Sequence, residues 1–501
     1  SYAYWSQAGL ETAAFALLTA LALYCFLRHH YLLMAVLTIA VLIRPEGALL
    51  AAILIAVEAI VYRRLPRYSL RCAAGALLML LPMVLFRYLY YGSLLPNTFY
   101  AKASFDYEQL LAGFEYLTRF FSHYSFFAIG HVLPLFLWRK LTKPARALWL
   151  FTLMYIVYIV LIGGDVLKVH RFFLPLLAPM SILVVVSING LTRRLAARWR
   201  YVLLVILGFA MLVATHLIPQ KFIDHYAYME RGMVSKFQSL GRRMSEADSS
   251  NFSVALSTIG VFSYEVIGHR VIDMLGLTDS TIARHPEEPI AGMETTWKER
   301  RYNSHYLLES APDYVVFATG RRPSSPAERS LMLYQQFLSA YRTVVFLYKP
   351  TSSTTERQLI TAFKRVRPIK LPIERTHAIQ FVEAYIEGVW ATVRGEYVIS
   401  QKHFIQAKRL DTSPPYSLLV YKMARNLFGQ KRQAEGERLL NELIKVDSFV
   451  YEAHSDLYTY ELAVGDRDKA AIHRRWLYRL IPWIAGSFDS LAIATARQFS
   501  R

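Results

Sequence analysis

Residues 147–191 read ALWLFTLMYIVYIVLIGGDVLKVHRFFLPLLAPMSILVVVSINGL, two apolar runs joined by a short loop that carries an acid, a lysine, a histidine and an arginine. Each run approaches the ~20 apolar residues needed to cross a hydrocarbon core of ~30 Å. The same pattern recurs on both sides, so spans are expected at roughly 10–27, 70–90, 113–138, 146–162, 172–192 and 200–218. Across the 501 residues the hydrophobic content is 54%, above what an ordinary soluble domain carries. Much of the N-terminal part is therefore expected in lipid. After about Pro219 the sequence turns polar and is patterned like water-soluble structure.

The net charge of +20 is uneven, and much of it sits in short clusters between apolar runs. Arg28, then Arg63, Arg64, Arg67 and Arg71, then Arg139, Lys140, Lys143 and Arg146, then Arg193, Arg194, Arg198 and Arg200 alternate with basic-poor loops. The positive-inside rule puts these clusters in the cytoplasm and accounts for the charge without nucleic acid. It also forces residues 31–62 to enter and return. The expected form is two short helices with Arg44-Pro45-Glu46-Gly47 turning the chain between them. Read as plain structure this is a hairpin with breakers. Read as chemistry, an arginine and a glutamate at membrane depth mark a site. The two cysteines, Cys25 and Cys72, lie far apart in or beside apolar runs and suggest neither a disulfide framework nor a metal site.

By this count residues 92–111, 163–171 and everything after about 218 face outward. Because the chain opens on Ser1 and enters a span within about ten residues, one further span and its outer loop are expected upstream. In the loop after the second span, Gly92 and Pro96 break the helix and Asn97 can cap the next one. Tyr100 and Lys102 sit at the interface, either as an aromatic belt with a snorkelling lysine or as part of a phosphate site. In the loop at 163–171, Arg171 heads the next span, where a planar guanidinium can grip a phosphate. Asp165 can orient a hydroxyl there.

Arg44-Pro45-Glu46-Gly47, Leu95-Pro96-Asn97-Thr98-Phe99-Tyr100-Ala101-Lys102, and Gly163-Gly164-Asp165 with His170-Arg171-Phe172 together resemble the GT-C class of integral membrane glycosyltransferases. The nearest resemblance is to the mycobacterial terminal arabinofuranosyltransferase family and its bacterial relatives. Gly9-Leu10-Glu11-Thr12 and Val271-Ile272-Asp273-Met274-Leu275-Gly276-Leu277-Thr278-Asp279 extend it over residues 1 to about 320. The resemblance implies transfer of a sugar from a polyprenyl-phosphate donor to an envelope glycan or other acceptor on the outer face of the cytoplasmic (inner) membrane. It implies donor-phosphate binding by Lys102, His170 and Arg171, and a sugar pocket formed by Arg44, Glu46, Asn97 and Tyr100 with Asp165. The catalytic base is implied on an outer loop upstream of Ser1, Asp165 being the candidate within this sequence. The polyprenyl-phosphate sugar is the donor substrate, no other cofactor is assigned, and a role for a divalent cation stays open. A lipid-linked-sugar transporter and a non-catalytic envelope-assembly scaffold are the alternatives; no internal symmetry among the spans favours the transporter.

Beyond Pro219, residues 225–247 have helical periodicity, and 252–262, 313–318 and 343–348 read as short buried strands. Asp273, Asp279 and His285 lack metal-ligand spacing and read as surface or capping residues. From about 355 the sequence reads as helical. Gly395, Gly429 and Gly465 recur near the ~34-residue tetratricopeptide period, which suggests a surface for a protein or glycan partner. The expected fold class is thus a polytopic α-helical membrane protein with a GT-C type bundle over 1–219. A small extracytoplasmic α/β domain at 220–350 and an α-helical repeat domain at 355–501 are expected to follow.

Overall fold

The computed structural model describes residues 2–102, 107–192, 196–293, 301–348 and 358–499. The chain is mostly helical with one small mixed sheet, and it divides into two compact units. The first holds residues 1–95 and 104–230, the second 96–103 and 231–501.

In the first unit the helices are α1 (Tyr2–Gln7), α2 (Thr12–Leu27), α3 (Leu33–Ile43), α4 (Gly47–Tyr62) and α5 (Arg67–Tyr91). α6 (Asn97–Lys102) belongs to the second unit. The first unit continues with α7 (Tyr107–His123), α8 (Phe126–Leu137), α9 (Lys143–Leu161), α10 (Leu174–Leu191) and α11 (Ala197–Leu217). Local rules set several of these ends. Thr142 accepts a hydrogen bond from the Ala145 amide ahead of α9, with a proline in its first turn, and α5 stops at Gly92, whose φ is 63°. α2 packs on α3 and α10, α3 on α4 and α5, and α4 on α9, around a core that includes Phe26, Leu37, Ile53, Phe151 and Met180. At one end of this bundle Tyr68 Oη donates to the carbonyls of Cys25 (3.0 Å) and His30 (2.9 Å). Lys143 lies over the Tyr62 ring there, so three of the basic clusters gather together. Arg193 and Arg194 of the fourth lie outside the described residues.

Among the described residues four helices are long and apolar enough to cross a membrane, or five if one bent pair counts as a span. Six were expected, and the difference is local. α2 has only 16 residues because Gly9, at φ 68°, turns the chain out of the helix shortly before Thr12. The expected span at 113–138 is α7 and α8, which meet at 102° around Tyr124 and Ser125. The expected helical pair with a turn at 44–46 is present as α3 and α4. There a Cβ on Gly47 would lie 2.4 Å from the Ala40 backbone, so only glycine lets the two helices approach this closely. Large apolar side chains on α5, α8 and α11 point outward, and the apolar stretch of α11 has no buried residue.

The second unit begins its main run in α12 (Gln220–Ala247) and continues through β1 (Ser253–Leu256), α13 (Gly260–Glu265), β2 (Arg270–Asp273), α14 (Ser280–Arg284) and α15 (Ser304–Glu309). Then come β3 (Tyr314–Val316), α16 (Pro326–Leu331), α17 (Gln335–Ala340), β4 (Tyr341–Tyr348) and β5 (Gln358–Arg365). The sheet order is β2-β1-β3-β5-β4, parallel across β2, β1 and β3 and antiparallel beyond. Glu328 is fully buried and pins the sheet to α16. It accepts from Ser257 Oγ and the Ala318 amide through one oxygen, and from the Ser324 amide and hydroxyl through the other.

Helices α18 (Ile379–Val393), α19 (Tyr397–Leu410), α20 (Ser417–Gly429), α21 (Gln433–Val446), α22 (Tyr451–Val464), α23 (Arg467–Leu480) and α24 (Ala485–Phe499) complete the chain. The first six form three packed pairs. Small residues admit the rings between helices: a Cβ on Gly388 would lie 2.4 Å from the Phe404 ring, and one on Gly429 2.7 Å from Tyr397. The structure departs from the expected boundary at 350–355. β5 lies beyond it yet sits inside the sheet between β3 and β4, and the sheet and the helical pairs share their cores. Phe317, Phe337 and Phe363 cluster with Tyr385, Phe404 and Leu419, while Tyr314 and Val345 cluster with Tyr451 and Leu477. Asp447 of the helical part pairs with Arg342 and, at 3.0 Å, with Arg367. Strand β5 reads as polar at its start, which hides it in the sequence.

Candidate functional site

Two arginines of the first unit occupy opposed turns and meet over one ring. The α3–α4 turn presents Arg44, whose Nη2 donates to Glu46 Oε1 at 2.7 Å and whose Nη1 lies 3.4 Å from Glu11 Oε1 at the head of α2. The α9–α10 loop presents Arg171, which donates from Nε to Asp165 Oδ2 (2.7 Å) and from Nη2 to Asp165 Oδ1 (3.0 Å). Both guanidiniums lie over the Phe172 ring, at 5.4 Å and 5.3 Å from its centroid. Phe15 receives Arg44 on a second side, and Trp5 does the same for Arg171. Planar cations over aromatic faces gain electrostatically where water is thin.

The loop that delivers Asp165 and Arg171 is braced by α7. Gln109 Nε2 donates to the Leu161 carbonyl at 2.6 Å, and the Phe172 amide donates to Tyr116 Oη at 3.3 Å. Gly164 has φ of 67°, and a Cβ there would lie 2.5 Å from the Tyr116 ring, so both its backbone angle and its space require glycine. Phe120 stacks on Phe173 at 3.8 Å. Helix α7 therefore lies across the 159–173 region along its length.

Of the residues expected at the site, Arg44, Glu46, Asp165 and Arg171 come together. His170 does not join them. It is fully buried, sits in the left-handed region at φ 57°, and shares a 2.8 Å hydrogen bond between its Nε2 and His123 Nδ1. Burial first, then the neighbouring His123, pushes its imidazole down to about 3, so it is neutral and supplies no cation for a phosphate. Asn97 and Tyr100 lie in the second unit. There Arg284 at the end of α14 donates to Asn97 Oδ1 (3.4 Å) and lies 5.3 Å from the centre of the Tyr100 ring. The Lys102 side chain lies outside the described residues. Asp279 caps α14, and Asp273 is buried and accepts from the Leu275 and Thr278 amides.

Three partners were given no site role in the sequence reading. Glu11 supplies the third carboxylate and is the most exposed acid of the cluster, at 40%. Phe172 and Tyr116 are aromatic residues inside or beside apolar runs, where nothing local separates them from ordinary core. Three carboxylates against two guanidiniums leave one acid in excess. Among the described residues no cluster of metal-ligating side chains occurs.

A family model described as "Domain of unknown function (DUF8728)" matches residues 225–368, from within α12 through β5. That match covers all five strands and ends just past the sheet. No curated protein and no solved structure matches the chain.

Proposed function

We propose that this protein is a polytopic membrane glycosyltransferase of the GT-C type, moving a sugar from a polyprenyl-phosphate donor to an envelope acceptor on the outer face of the cytoplasmic membrane. The observation that carries the reading is the cluster of Glu11, Arg44, Glu46, Asp165 and Arg171 among apolar helices, at turns predicted to face outward. Intramembrane or interfacial ions of this kind are costly and are retained for function. The apolar surfaces of α5, α8 and α11 point outward as lipid-facing helices would. In this reading the Arg171 guanidinium, with Nη1 still free of Asp165, takes the donor phosphate and stabilises it as the leaving group. The carboxylate best placed to accept the acceptor's hydroxyl proton is Glu11, because it is the most accessible and the pairs hold the others. Arg44 and Glu46 floor the sugar pocket, with Tyr155 and Tyr158 nearby. The second unit then stands outside the membrane, its helical pairs acting as tetratricopeptide-like supports for the sheet.

One observation favours a second reading, a non-catalytic envelope-assembly scaffold: both arginines are already paired with carboxylates, as in a structural network. Vesicles containing the full chain, loaded with a polyprenyl phosphate bearing a radiolabelled sugar and supplied with isolated envelope glycan, separate the readings. Label appearing in the glycan supports transfer. Label crossing the bilayer without transfer identifies a transporter, and inert vesicles identify a scaffold. Arg171→Glu should abolish donor retention, and unchanged retention rejects its phosphate role.

A further inference from the structure

Arg87 is the last charged residue of α5. It lies on α5, four residues before the helix ends at Tyr91, and only 22% of the apolar stretch of that helix is buried. Its neighbours Phe86, Tyr88, Leu89, Tyr90 and Tyr91 are all exposed. Phe86 stacks on Tyr90 at 5.4 Å, and Tyr90 meets Tyr91 edge-on at 4.7 Å. Among the described residues Arg87 has no ion pair, and its Nε is buried without a hydrogen-bond partner. The helix starts in the basic cluster of Arg67 and Arg71. From Arg71 to Arg87 the chain rises about 24 Å at ~1.5 Å per residue, which in a hydrocarbon layer of ~30 Å brings Arg87 close to the far interface. There, positive charge runs against the inside bias, and a ring of tyrosines marks the headgroup level.

We propose that Arg87 and this tyrosine collar bind the phosphate of a membrane lipid in the outer leaflet. A half-exposed guanidinium on this lipid-facing stretch, with its Nε unpartnered and no carboxylate partner among the described residues, needs acceptors, and at that depth phosphate oxygens are the abundant ones. Its planar fork suits two phosphate oxygens at once, and the flat tyrosine and phenylalanine faces offer a bed for the first carbons of the lipid chain. The proposal rests on the membrane reading of α5, and it deepens the proposed function by giving a polyprenyl phosphate a docking point on the lipid-facing side of the bundle.

The test uses the full chain in nanodiscs of zwitterionic lipid doped with either undecaprenyl monophosphate or phosphatidylglycerol, with retained lipid counted by native mass spectrometry. Arg87→Gln should weaken retention roughly ten- to a hundredfold, as loss of a charge-assisted contact does, and Arg87→Lys should keep a substantial part of it. A loss confined to undecaprenyl monophosphate assigns the site to isoprenoid phosphates, and a loss for both lipids assigns it to lipid phosphate in general. Equal retention of both lipids by the parent and Arg87→Gln overturns the proposal. So does a chain that stays in the aqueous phase without detergent. Weakened retention in a protein that transfers no sugar keeps the lipid site and rejects the transferase, so the two failures are separable.

Discussion

Replacing Arg44 by methionine tests whether the charged cluster is an interdependent network. The variant leaves Glu46, whose side chain is 20% exposed, without its 2.7 Å partner, and strips Glu11 of a weaker contact at 3.4 Å. Breaking one half of a buried pair costs about 3–5 kcal/mol, because the remaining charge is stranded. Glu46 keeps some water and Glu11 much more, so its share is at most about 1 kcal/mol. Methionine also returns part of the packing on Phe15 and Phe172. A net loss of about 2–3 kcal/mol is expected, read as a lowered denaturant midpoint for the full chain in detergent. Arg44→Met with Glu46→Gln should recover about 1–2 kcal/mol of that loss, since it removes the stranded charge. A single variant within about 0.5 kcal/mol of the parent, or additive effects in the double variant, would refute the coupled network.

Further outcomes follow from the same packing. Gly164→Ala should destabilise the first unit by about 2–4 kcal/mol, from left-handed strain plus collision with the Tyr116 ring; differential scanning in detergent reads it, and an unchanged transition rejects the fit. Glu328→Gln should cost about 2–4 kcal/mol, because one of its oxygens becomes a donor facing the Ser324 or Ser257 groups; chemical unfolding monitored on the second unit measures it. His454 is buried against His473 (3.0 Å) and Trp476, and burial followed by His473 takes its imidazole from an ordinary 6.5 down to about 4. The unfolded chain therefore binds its proton first as pH falls, so this contribution is complete above about pH 6.5 and is lost between about 6.5 and 4, by up to about 3 kcal/mol. Hydrogen exchange in α22 and α23 across that window should steepen with acid in the parent and flatten in His454→Gln; equal slopes exclude the mechanism.

Much of the fold was legible because it is written in local patterns. Apolar runs and their breakers gave α5, α9, α10 and α11, and the Arg44-Pro45-Glu46-Gly47 turn between two short helices. Short apolar runs rich in Val, Phe and Tyr gave β1, β3 and β4. Strand β2 was seen only as part of a resemblance, and β5 was read as the start of a helical region, because a strand with a polar start is stabilised by its neighbours more than by its own residues. The 102° break after His123 was also hidden, since apolar residues continue on both sides of it.

For the candidate site, the sequence by itself determined which loops hold charge in an apolar setting, because the cost of burying an ion makes each such residue conspicuous. Only the tertiary structure decided who meets whom. It brought Glu11 to Arg44 across 33 positions of chain, set Phe172 beneath two guanidiniums, and turned His170 inward to His123. It also assigned Asn97 and Tyr100 to Arg284 of the other unit. Spacing rules act over one or two turns of helix, whereas these contacts depend on how whole helices pack, and that is fixed by the sum of many side chains rather than by any motif.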